Sequence, residues 1–150
     1  MPKKYLISGL PSTGKSTVAT ELLQRGYYAI DADTAIARNT SNGWIWDKDR
    51  LQQAFLNSDD RDVFICGSAT NRAEYIHLFD RVFILHIDNA TMRHRLTTRT
   101  NNHFGKDPNV LAKQLRRNVG VKEYSLKRGR VVIDATQPIT TVVNIILEKL

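Results

Sequence analysis

The sequence predicts an α/β fold of the doubly wound kind, a five-stranded parallel sheet sandwiched by helices. Three observations carry that expectation. Five short apolar runs alternate along the chain with stretches of helical periodicity, the order that repeated βαβ units impose. The first run leads into Gly9-Leu10-Pro11-Ser12-Thr13-Gly14-Lys15-Ser16-Thr17, which fits GxxxxGK[ST] from Gly9 to Ser16 and opens a helix. Polar residues gather just after the apolar runs, at the strand ends where an open parallel sheet binds its ligand.

Composition bounds the reading. The chain has 150 residues, enough for one core and one domain, and 41% of them are hydrophobic, as in an ordinary globular protein. No apolar run approaches membrane-spanning length, and Met1-Pro2-Lys3-Lys4 leads into a short strand rather than a signal-peptide core, so a cytoplasmic protein without membrane contact is expected. The formal net charge of +7, from 22 Lys and Arg against 15 Asp and Glu, makes the surface attract anions. Phosphorylated ligands suit that charge, and nucleic acid suits it too but is not favoured, because the basic residues concentrate between Arg93 and Arg130, where a phosphate clamp is expected in any case. The single cysteine, Cys66, has no partner for an internal disulfide and reads as a small buried hydrophobe.

Taken in order, Lys4 to Ser8 is the first strand. The loop after it must turn backbone N–H groups inward around an anion, and Gly9 and Gly14 supply the backbone freedom for that. Lys15 adds a point charge for β- and γ-phosphates, Ser16 a hydroxyl for Mg²⁺, and the helix carrying Val18, Ala19, Leu22 and Leu23 presents its positive end. Tyr27 to Asp31 is the second strand. On extended backbone Asp31 and Asp33 point to the same side, one to orient Mg²⁺ through water and the other to meet a substrate hydroxyl; alternatively Asp33 caps the next helix and Asp31 is solvated. Thr34 to Arg38 is expected to be helical, ending in the turn formers Asn39 to Gly43. Trp44 and Trp46 form either a substrate wall or the apolar start of the next helix. That helix is capped by Asp47, carries Leu51, Ala54, Phe55 and Leu56, and closes at Ser58 to Asp62.

Val63 to Cys66 is the third strand, followed by the polar Gly67 to Arg72. It ends without an acidic residue for Mg²⁺, so Asp31 or Asp33 would take that duty. Arg81 to Ile87 is the fourth strand, and Asp88 caps a helix with Met92 and Leu96 on its core stripe and Arg95 and Arg99 sharing another face. Thr100 to Lys106 is a polar loop, Asp107-Pro108 a cap with proline at the first helical position, and the next helix runs through Leu111, Leu115, Lys113, Arg116 and Arg117 toward Lys127. The loop between these helices has the form of a lid over approximately 99–109. Arg130 to Ile133 is the fifth strand, and Ile139, Val142, Val143, Ile146, Leu147 and Leu150 form the stripe of a last helix.

Over nearly all of its length the chain resembles the small P-loop kinases, the group that includes nucleoside monophosphate, shikimate and gluconate kinases. The resemblance implies a P-loop NTPase fold with an arginine-rich lid. It implies that Gly9, Pro11, Ser12, Thr13, Gly14, Lys15, Ser16 and Thr17 hold ATP, with Lys15 on the transferred phosphate and Ser16 on Mg²⁺. Asp31-Ala32-Asp33 is similar to the Asp-x-Asp of the shikimate kinase branch, which would put Asp31 on the metal and Asp33 on the accepting hydroxyl. Arg38 and Arg72 correspond to acceptor-binding arginines, Arg95, Arg99, Arg116 and Arg117 to lid arginines, and Thr136 lies in the adenine-contacting turn. Cys66 to Asn71 departs from the group's patterns after the third strand, and the acceptor-binding insertion between Arg38 and Arg61 is short. The expectation is a Mg²⁺-dependent kinase that transfers phosphate from ATP to a small acceptor, a nucleoside or nucleotide, with catalysis by Lys15, Asp33, Arg99 and Arg116. The rivals are a 5′-hydroxyl polynucleotide kinase and a nucleotide-binding regulatory module without catalysis. Acceptor identity, ATP against GTP, and oligomeric state stay open.

Overall fold

The structure, a computed structural model, describes residues 1–100 and 102–150. Asn101, in the expected lid, lies outside the described residues. Five strands, β1 (Lys4–Gly9), β2 (Tyr28–Asp31), β5 (Val63–Cys66), β6 (Arg81–His86) and β7 (Val131–Asp134), pair in parallel in the order β2-β5-β1-β6-β7. The chain leaves β1 toward β2 and later returns past it to β6, so the ends of the central strand carry the crevice.

Successive side chains on a strand point to opposite faces, so these continuous apolar runs feed two cores. Tyr5, Ile7, Phe64, Phe83 and Leu85 face α1 (Lys15–Gln24), α4 (Asn89–Thr98) and α7 (Ile139–Glu148), which contribute Val18, Leu22, Met92, Leu96, Val143 and Ile146. Leu6, Ile65 and Ile84 face the other way, onto Ala32 of the one-turn helix α2 (Ala32–Ala35) and onto Leu51 and Ala54 of α3 (Lys48–Leu56). Asp47 caps α3 by accepting from Arg50 N, and Asp107 caps α5 (Pro108–Asn118) by accepting from Asn109 N and Val110 N. Cys66 is fully buried, and burial pushes its thiol far above the usual range. Among the described residues no helix is long and apolar enough to cross a membrane.

Several expectations are corrected. The stretch read as helix continues only to Ala35; Ala37–Thr40 is strand β3, paired antiparallel with β4 (Gly43–Trp46) through the two-residue turn Ser41-Asn42, with Gly43 at φ 100. A turn closed by a left-handed glycine sets a hairpin register, and the hairpin buries Trp46. Asp88 occupies the N-cap of α4, but its carboxylate takes the Thr91 hydroxyl and no backbone N–H. The helix expected from Pro108 to Lys127 is broken at Val119-Gly120, with Gly120 at φ 84, and resumes as α6 (Val121–Lys127). Leu56 is 77% exposed and Leu150, beyond the end of α7, 41% exposed, so neither belongs to the core stripes.

Candidate active site

The loop between β1 and α1 is built by close packing. A Cβ on Gly9 would stand 2.7 Å from Thr13 Oγ1 and 2.8 Å from Leu85 O, so the first position of the motif has room for hydrogen alone. Gly14 sits at φ 98 and Ser12 at φ 69, left-handed conformations that curl the loop around its centre. Thr13 Oγ1 closes the curl by donating to Leu10 O at 2.8 Å. Lys15 folds back over it, donating from Nζ to Gly9 O at 2.8 Å and Leu10 O at 2.9 Å. Burial pushes its ammonium down to about 8; Arg72 and Arg99 act in the same direction, and Asp33 and Asp31 oppose them. Ser12 Oγ and Arg99 Nε are buried with no hydrogen-bond partner among the described residues. Orphaned donors of this kind cost about 1–3 kcal/mol each unless a ligand meets them.

A cleft of about 1200 Å³ runs over this loop along the strand ends. Toward β7 the lining is largely apolar, Ala135, Ile139 and Val142 with Gln137; over the loop it is Gly9 to Val18, Arg95, Arg99 and Arg117; toward β2 it is Asp33, Trp44, Ser68, Ala69 and Thr70. Arg95 straps the first two parts together, donating to Ser12 O at 3.1 Å and Ala135 O at 3.0 Å. Arg99 donates to Phe104 O at 2.7 Å and Arg117 to Gln114 Oε1 at 3.1 Å. Among the described residues none of these three arginines has a carboxylate partner. Cations left without counter-charge around a loop of inward N–H groups make a site for a polyanion.

No protein-family model matches the chain, and no curated protein matches its sequence. Solved structures match its fold. A sugar kinase from Janibacter sp. superposes with a TM-score of 0.63, covering 99% of this chain and 94% of that one at 13% identity. A deoxyadenosine kinase from M. mycoides with bound dATP gives 0.60, covering 97% and 98% at 16% identity. A shikimate kinase from Acinetobacter baumannii in complex with shikimate gives 0.63, covering 99% and 95% at 16% identity. The chain has the small P-loop kinase fold.

Within this P-loop kinase fold, the residues singled out by sequence separate into two groups. Gly9, Pro11, Ser12, Thr13, Gly14, Lys15, Ser16, Thr17, Asp33, Arg95 and Arg99 line the cleft. Asp31, Arg38, Arg72, Arg116 and Thr136 do not. Asp31 caps α2, accepting from Asp33 N at 3.0 Å, because the helix begins at Ala32 and the two carboxylates do not share an extended backbone. Arg38 pairs with Asp47 at 2.9 Å. Arg72 donates to the buried Ser8 Oγ at 2.6 Å, and its guanidinium pKa is lowered by burial first and by nearby Arg130 and Arg117. Arg116 is exposed, while its neighbour Arg117 reaches the cleft. Thr136 turns its hydroxyl onto Asp134 at 2.6 Å, and Ala135 and Gln137 line the cleft in its place. Of the two tryptophans that the sequence left open as substrate wall or helix start, Trp44 lines the cleft, and the segment Ser68 to Thr70 lines it without having been singled out. The signal for Trp44 was present: Trp-Ile-Trp after Asn42-Gly43 has the period of a hairpin strand, which sends one indole to the core and the other to the cleft.

Proposed function

We propose that the protein is an ATP- and Mg²⁺-dependent kinase that moves the γ-phosphoryl group to a small acceptor, a nucleoside or nucleotide. The observation that supports this reading is the polarity of the cleft. Lys15, Arg95, Arg99 and Arg117 gather at its centre, and a lone carboxylate, Asp33, stands at the end away from the apolar subsite. A nucleotide with its base toward Ile139 and Val142 would bring its last phosphate over Lys15, facing Asp33.

Phosphoryl transfer needs in-line positioning and cations more than covalent help. The acceptor oxygen forms a bond to the γ-phosphorus, the bond to the β,γ-bridging oxygen breaks, and ADP leaves with that electron pair; where the acceptor is an alcohol, Asp33 takes the hydroxyl proton. Lys15 would leave the loop carbonyls for the phosphates, and Arg99 and Arg117 would balance charge on the transferring oxygens. The segment 99–109, between α4 and α5, would serve as the lid. Among the described residues no group of three or more His, Cys, Asp or Glu could hold a metal ion. Mg²⁺ keeps waters and phosphate oxygens and takes one or two protein ligands, so a hydroxyl and a carboxylate are donors enough for it. Ser16, exposed at the start of α1, would hold it, with Asp31 reaching it through water. The ion would neutralise charge between the phosphates.

The test is ADP formation from Mg²⁺-ATP with nucleosides, nucleoside monophosphates, shikimate, gluconate and a 5′-hydroxyl oligonucleotide added separately. Stimulation by one small-molecule class is expected. Lys15→Ala should lower kcat by about 10²–10³ and Asp33→Asn by about 10²–10⁴. Stimulation by the oligonucleotide alone would make the protein a polynucleotide kinase. ATP binding without stimulation by any of them would leave a regulatory module.

A further inference from the structure

The reading above leaves nucleoside and nucleotide open, and the acceptor end of the cleft separates them. We infer that the acceptor is an uncharged nucleoside, its base laid on the indole of Trp44 and its hydroxyl offered to Asp33, with the Trp44 N–H aiming that carboxylate. The inference rests on the kinase reading.

Charge comes first. At this end of the cleft the described lining residues are Asp33, Trp44, Ser68, Ala69 and Thr70, one carboxylate among uncharged groups, and the cation whose charge Asp33 supports is Lys15. Arg38 is paired with Asp47, and Arg72 turns its guanidinium onto the buried Ser8 hydroxyl. In the kinase reading Lys15 is given to the triphosphate, so a phosphomonoester placed here would face both Asp33 and the bound γ-phosphate, and like charges brought together are unfavourable.

Rigidity comes second. Trp44 is 39% exposed while Trp46, two residues on, is 1% exposed, so the hairpin is anchored by one indole and presents the other. The loop after β5 lashes the hairpin in place. Trp44 O accepts from Thr70 N at 2.9 Å and Thr70 Oγ1 at 3.1 Å, and the Asn71 side chain accepts from Trp46 N at 2.9 Å and donates to Trp46 O at 3.1 Å. An indole whose backbone is held from both sides is a fixed aromatic wall, and the chemical class that gains most from such a wall is a flat ring.

Direction comes third. Trp44 Nε1 donates to Asp33 Oδ1 at 3.4 Å. The bond is long, so its energy is small and its effect is to orient. It occupies one oxygen of the carboxylate and leaves the other for the acceptor hydroxyl. Trp44 is therefore a positioning residue as well as a specificity residue.

The chain has two tryptophans, so the fluorescence difference between wild type and Trp44→Phe isolates Trp44. With a non-hydrolysable ATP analogue bound, wild type is titrated with adenosine, thymidine, their 5′-monophosphates and gluconate. A nucleoside should quench Trp44, and its monophosphate should bind at least about tenfold more weakly. Trp44→Ala should raise the acceptor KM about tenfold. Trp44→Phe keeps the ring and loses the N–H, so it should hold KM within about threefold and lower kcat. Asp33→Asn should shift Trp44 emission. The inference is overturned if gluconate or a monophosphate binds as tightly as any nucleoside, if no probe quenches Trp44, or if Trp44→Phe matches wild type in both kinetic parameters. Quenching by a nucleoside without phosphoryl transfer would leave the nucleoside site at Trp44 standing and overturn the kinase reading on which its role as acceptor site rests; transfer to gluconate would do the reverse.

Discussion

Raising the pH through the alkaline range should loosen nucleotide binding, because of how Lys15 is stored in the ligand-free fold. Its ammonium sits on the carbonyls of Gly9 and Leu10, and burial outweighs the favourable fields of Asp33 and Asp31, leaving it near 8 instead of 10.5. Between those two values the folded protein holds fewer protons than the unfolded chain, so this group makes stability rise with pH across that window. A bound triphosphate acts in the opposite sense by favouring the charged form. With a value of about 8, Lys15 is about half protonated at pH 8 and about one-tenth at pH 9. A ligand that requires the ammonium should thus lose about tenfold in affinity between about pH 7 and pH 9, or about 1.4 kcal/mol. Titration calorimetry with the ATP analogue in buffers of differing ionisation enthalpy checks both halves of the argument. Uptake on binding should approach about half a proton at pH 8 and about 0.9 at pH 9, and should vanish in Lys15→Met. Affinity that stays flat over this range, or binding heats independent of buffer, would refute the description of Lys15.

Two further substitutions test the scaffold. A Cβ at Gly67 would stand 2.6 Å from Ala32 Cβ and 3.6 Å from Asp33 Oδ1, so Gly67→Ala should cost about 1–3 kcal/mol in urea unfolding and lower kcat while leaving affinity for the ATP analogue within a few fold. Arg95→Met removes both strap bonds, to Ser12 O and Ala135 O, and should cost about 1–3 kcal/mol with weaker binding of the analogue, read by the same unfolding and calorimetry experiments.

What the sequence revealed follows from how local each signal is. The phosphate loop is nine consecutive residues whose chemistry depends on backbone conformation, and the caps at Asp47 and Asp107 act within three residues, so each was legible before any tertiary contact. The five parallel strands were legible because strands buried on both faces are continuous apolar runs. The hairpin was not, since Ala35, Ala37 and Arg38 are good helix formers and only the pairing of Ala37 with Trp46 overrides that preference. The carboxylates were misplaced by one geometric assumption: Asp31 and Asp33 share a side only on extended backbone, and α2 starts between them. The arginines were the least legible. A long side chain is placed by what it finds, and Arg38 finds Asp47, Arg72 finds Ser8, and Arg117 rather than Arg116 reaches the cleft.

The central claim is that the cleft moves phosphate from ATP to a hydroxyl. The most direct measurement follows γ-labelled ATP, incubated with Mg²⁺, the protein and adenosine or thymidine, and asks where the label goes. The account expects label in the nucleoside product, dependent on Lys15 and Asp33. Label recovered only as ATP or inorganic phosphate, with every acceptor in the panel unmodified, would contradict it.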